Sequence, residues 1–129
     1  MNSLITCSAF LNEHRRFRLS DTMKKKDTFK ARVHEYADKL GIDIKSLALR
    51  PMKNKWASCS TSGNLNFNSE LLSYDNQIGD YVIVHELLHF RTPNHGKLWK
   101  SLMGAYLGDY EVLSEKLKTL SENRKKNSL

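Results

Sequence analysis

The five residues His85–Glu86–Leu87–Leu88–His89 constrain this chain more than any other stretch. Ile78, Val82, Ile83, Leu87, Leu88 and Phe90 surround them at spacings that leave no continuous polar stripe. The segment from about Asp75 to Arg91 therefore reads as a helix apolar on most sides, which belongs in a core. Two imidazoles and a carboxylate are costly there unless something pairs them. Residues four apart on a helix stand one turn above each other, so both imidazoles face one point in space. Neutral imidazoles at that spacing can take two of the tetrahedral positions on Zn²⁺. Glu86 lies one step round the helix, beside such an ion and not on it. There it can accept a proton from a zinc-bound water without displacing it.

A hydrolytic zinc site takes three protein ligands and keeps one open position. His95 is the expected third ligand. Pro93 cannot continue a helix and biases Thr92 away from the helical region, so the chain turns there and His95 follows six residues after His89. A carboxylate from a later helix, Glu111 or Glu115, is the competing candidate. The site predicts one zinc ion per chain and metallopeptidase-type hydrolysis. The zinc-bound water has its pKa lowered toward ~7, and Glu86 takes its proton and passes it to the leaving amine.

The rest of the chain predicts an α+β fold. At 129 residues there is room for one core and not for two. Residues 1–26 show no sustained period and form an N-terminal extension for which no element is predicted; residues 27–129 form the single domain. Asp27 can cap a helix carrying Phe29, Val33, Tyr36, Ala37 and Leu40, which Gly41 stops. Leu47 and Leu49 alternate with polar neighbours, as do Leu65 and Phe67 after the turn residues Thr61–Ser62–Gly63. With Lys55–Cys59 as a middle or edge segment, these predict a short antiparallel sheet packed on the metal-binding helix. Further helices are expected over about Gly96–Leu107 and Asp109–Asn123.

Charge and composition narrow the function classes. Residues 1–60 carry 13 Lys/Arg against 6 Asp/Glu, so the whole net charge of +7 lies in the first half. Such a face attracts polyanions, and it also serves as a solvated, solubilising surface. This sets up a rival of another class, a nucleic-acid-associated module with structural zinc, or a protease acting near DNA. The glutamate between the histidines discriminates, because a structural site gains nothing from it. No apolar run approaches the roughly 20 residues of a membrane span. The stretch Leu4–Leu11 lacks a basic region before it, so a cytoplasmic location is expected. Cys7 and Cys59 are expected as free thiols, with Cys59 a small packing residue. Trp56 and Trp99 are expected as core anchors. Asp80 can orient a ligand, and helix-end electrostatics is its simpler role.

Four blocks occur in order: Arg50-x-Met52-Lys53-x-Lys55-Trp56-Ala57-Ser58-Cys59-Ser60; Gly63-Asn64-Leu65-Asn66-Phe67-Asn68 with Leu71; Asp80-Tyr81-Val82-Ile83-Val84-His85-Glu86-Leu87-Leu88-His89; and His95-x-x-x-Trp99. This ordered set resembles the YgjP-like metallopeptidase-domain family of predicted metal-dependent hydrolases, over residues 50 to 103. The resemblance implies a small zincin-like domain acting on peptide or protein substrates. It implies three histidine ligands and a glutamate base, which fall here on His85, His89, His95 and Glu86. It further implies a strand beside the zinc cleft, with Gly63–Asn68 the candidate, whose exposed edge could pair with an extended peptide. Ala57 departs from the family's usual glycine, and Thr92–Pro93 is an uncommon turn before the third histidine. Residues 1–45 hold only an abbreviated or different form of the family's N-terminal, sheet-rich portion.

Overall fold

The computed structural model describes residues 17–92 and 94–127. The chain runs α1 (Phe17–Leu40), β1 (Ser46–Arg50), β2 (Ala57–Cys59), β3 (Asn64–Asn68), a 3₁₀ turn (Ser69–Ser73), α2 (Asn76–Leu88), α3 (Lys97–Leu107) and α4 (Tyr110–Asn127). Among the described residues no helix is long and apolar enough to cross a membrane.

Helix α1 starts ten residues before the expected cap, so Asp27 is an exposed mid-helix residue and residues 17–26 are helical. The apolar stripe begins only at Phe29, which is why periodicity missed the earlier turns. Leu19, Met23 and Lys24–Lys26 are good helix formers, and extending an existing helix costs little compared with nucleating one. Gly41 ends α1 with φ of 70°, and Arg91 donates from Nε to the Leu40 carbonyl at 2.9 Å, closing the helix from a distant part of the chain.

The sheet has the order β1-β3-β2. β2 and β3 pair antiparallel as expected, but β1 and β3 pair parallel, so the sheet is mixed. The register places Leu47 and Leu49 beside Leu65 and Phe67, with Ala57 and Cys59 across from Phe67 and Leu65. All six join the core on the helix-facing side. The other face carries Ser46, Asn64, Arg50 and Asn66, which hydrogen-bond across the strands. Buried Asn68 pins the loop between β1 and β2: its Nδ2 donates to the Met52 and Lys55 carbonyls, both at 2.9 Å, and its Oδ1 accepts from the Glu70 amide.

Helix α2 lies at the centre, touching α1, β2, α3 and α4. Ile83, Val84, Leu87 and Leu88 are fully enclosed, as expected of a helix apolar on most sides. Arg32 of α1 holds its outer face, donating from Nε to Asp80 Oδ1 at 2.9 Å. Asp80 thus serves the packing of α1 on α2, and its recorded partners are Arg32 and Tyr36. Trp56 anchors α4, donating from Nε1 to Ser121 Oγ at 2.7 Å beneath the Arg124 guanidinium.

Candidate metal centre

The core leaves one side of the end of α2 open, and the polar residues of the helix fall on that side. His85, Glu86 and His89 are half-buried, while Val84, Leu87 and Leu88 of the same helix are buried. Helix α2 ends at Leu88, with His89 as its C-cap at φ −62° and ψ −23°. Those angles remain helical, so the one-turn spacing of the two imidazoles survives. Their ring centroids are 4.9 Å apart.

Past His89 the chain turns back. The Thr92 amide donates to the Leu88 carbonyl at 2.7 Å. Pro93, on which the expected turn rested, lies outside the described residues. Asn94–Gly96 forms a bend, and Gly96 caps α3. This reversal carries His95 to 5.1 Å from His85 and 5.8 Å from His89, centroid to centroid. One ligand atom from each of the three lies within 4.8 Å of the others. Glu111 and Glu115 sit exposed on α4, and neither belongs to this group.

The donor set suits zinc, since three imidazole nitrogens with room for a fourth partner are the ligands of an open zinc site. Two nitrogens on a tetrahedral ion with Zn–N bonds of about 2.1 Å stand roughly 3.4 Å apart, so holding zinc would require the wider-spaced ligands to close in further. Partial desolvation of this otherwise exposed ring, and then the neighbouring His85 and His89, hold the pKa of His95 below the usual histidine value. That favours the neutral form, which is the one that binds metal.

Glu86 is placed beside the three rings. Its Oε2 is 3.5 Å from His85 Nδ1 and 4.0 Å from His89 Nε2. The Cys59 thiol on β2 lies near enough for the Glu86 carboxylate to act on it. Burial first, then the Glu86 carboxylate, push the thiol pKa up to about 11. Cys59 is therefore neutral near pH 7. Sequence reasoning treated it as packing only, and the period-2 pattern of β2 could have placed it on the helix-facing side.

Comparison with known proteins gives this arrangement its family. The YgjP-like metallopeptidase domain matches residues 2–120. The chain belongs to the YgjP-like metallopeptidase family. The match extends well beyond residues 50 to 103, into α1 and α4. Among solved structures, the chain is similar to the metallopeptidase zymogen jannalysin of Methanocaldococcus jannaschii, at 30% identity and a TM-score of 0.60 over 73% of this chain and 95% of that one. The metallopeptidase zymogen abylysin of Pyrococcus abyssi shares the fold at 21% identity and a TM-score of 0.59, over 70% of this chain and 92% of that one. No curated protein matches. As a YgjP-like protein the chain is a zinc metallopeptidase-like hydrolase of zincin-like α+β fold.

The edge strand differs from expectation. Asn64–Asn68 is the central strand, paired on both sides, and β2 is the edge strand packed against α2. Of the basic residues of the first half, only some can be placed relative to the site. Arg15 and Arg16 lie outside the described residues, and Arg32 is spent on Asp80. Lys24 and Lys25 line a groove of about 390 Å³ beside the start of α2, at the opposite end of that helix from the histidines.

Proposed function

We propose that this protein cleaves peptide amide bonds, with His85, His89 and His95 holding one zinc ion per chain and Glu86 acting as the general base. The observation that carries the reading is the convergence of three imidazoles within 4.8 Å, with the Glu86 carboxylate alongside. A bound zinc ion would polarise the substrate carbonyl and make a nucleophile of water near neutral pH. Glu86 would take a proton on its carboxylate and return it to the leaving amine. β2 pairs with β3 on one side only, and its other edge would supply backbone groups for pairing with an extended peptide. The nucleic-acid module draws no support from the family.

Glu86→Gln tests the reading. The amide keeps the size of the side chain while removing its basicity, so zinc content should stay at the wild-type level. Hydrolysis of a quenched-fluorescent peptide library should fall by roughly 10²–10⁴. A mutant that cleaves the responsive peptides at the wild-type rate rules out this base.

A further inference from the structure

Trp99 is only 6% exposed, and its indole N–H is the buried side-chain polar atom without a hydrogen-bond partner among the described residues. An unpaired buried donor is a cost that phenylalanine or leucine in the same place would not carry. What the indole contributes is its face. It stacks on His95 with centroids 4.2 Å apart and planes at 16°. Its edge contacts reach His85 at 5.6 Å and Tyr110 at 5.7 Å.

The three histidines are held very differently. Helix α2 and the core beneath it aim His85 and His89. His95 is exposed on the bend between two helices, and the surface its ring lies flat against is Trp99. Trp99 in turn is fixed in the first turn of α3, whose Met103 is fully buried. We propose that Trp99 is a positioning residue for the metal centre: its indole face sets the plane of the His95 imidazole and thereby the affinity for the ion. The proposal rests on the reading of His95 as a ligand. An unsupported His95 would lose side-chain freedom at the moment of binding, whereas a stacked one has lost it on folding. Ligation also withdraws electron density from the imidazole, so its stack on an electron-rich indole strengthens when metal is bound.

The test is zinc affinity by competition with a chromophoric chelator, on the full chain. It compares wild type with Trp99→Leu, Trp99→Phe, His95→Ala and the double variant Trp99→Leu/His95→Ala. Trp99→Leu should weaken binding by roughly 10–100-fold, the usual effect of removing a group that orients a ligand. Trp99→Phe, which keeps a flat face, should recover most of that loss. The visible spectrum of Co²⁺-loaded Trp99→Leu should move toward that of His95→Ala. In the double variant the tryptophan change should cost nothing beyond His95→Ala alone, because the indole acts through that ring. Wild-type affinity in Trp99→Leu, or an equal loss with and without His95, overturns the proposal. Should Trp99→Leu fail to fold by circular dichroism, Trp99→Met takes its place as the aliphatic arm. Wild-type affinity in His95→Ala instead overturns the ligand set itself, so the two failures are distinguishable.

Discussion

The thiol of Cys59 on the edge strand stands within reach of the charge of the Glu86 carboxylate on the central helix. The edge strand thereby meets the helix at the one residue that carries the proposed proton transfer. This proximity predicts an unreactive thiol. With its pKa pushed from the ordinary thiol value of 9.0 up to about 11, Cys59 holds on the order of 100-fold less thiolate at pH 8 than an unperturbed cysteine. Iodoacetamide labelling, followed by peptide mass spectrometry, should be correspondingly slow at this position. Glu86→Gln removes the charge that disfavours the thiolate, so it should lower the pKa and speed labelling of folded protein. Equal rates in the two proteins would show that the pair is not coupled.

The ligand set predicts a ranking of metal retention. His85→Ala with His89→Ala should abolish binding, and His95→Ala should weaken it by at least tenfold. Glu111→Ala and Glu115→Ala should each retain about one zinc per chain, since both side chains are exposed on α4. Metal analysis after dialysis against a chelator reads all four. Loss of zinc in either glutamate variant, with retention in His95→Ala, would make the third ligand a carboxylate.

The Arg32–Asp80 pair should matter for stability. The two side chains are 19% and 24% exposed, so the pair is neither fully solvated nor fully buried. Arg32→Met keeps the aliphatic stem while leaving Asp80 without its guanidinium partner. It should cost about 1–2 kcal/mol, a Tm drop of roughly 3–8 °C for a domain of this size. Zinc affinity, measured in parallel, should change little, because neither residue touches a histidine ligand.

Two glycines predict opposite responses to alanine. At Gly41 φ is 70°, and an added Cβ would stand 2.6 Å from Arg91 Nη2, displacing the guanidinium that caps α1. Gly41→Ala should therefore lose about 1–2 kcal/mol. Gly104 lies inside α3 with nothing within 4 Å of an added Cβ. Gly104→Ala should gain about 0.4–1 kcal/mol by restricting the unfolded chain and raising helix propensity. Urea denaturation of the two variants beside wild type reads both signs.

Much of this protein was legible in its residues alone. The apolar run around His85–Glu86–Leu87–Leu88–His89 specifies a buried helix, and the four-residue step puts two imidazoles on one side of it. Both are properties of a single helix and need no partner. The helices over Lys97–Leu107 and Tyr110–Asn127 were legible for the same reason, to within a few residues at their ends. Alternation in Leu47–Leu49 and Leu65–Phe67 likewise recorded which side of each strand is buried. It did not record which strand lies beside which, because a strand with the same pattern fits the centre or the edge equally well. Only the tertiary structure placed Asn64–Asn68 between the other two strands, made β1 parallel, and left β2 at the edge against the metal helix. It also brought Cys59 near Glu86 and joined Arg32 to Asp80 and Arg91 to the end of α1, across separations in sequence that no local pattern encodes. Periodicity is set by a residue's own element, whereas these contacts are set by how elements pack, and packing is decided only when the whole core closes.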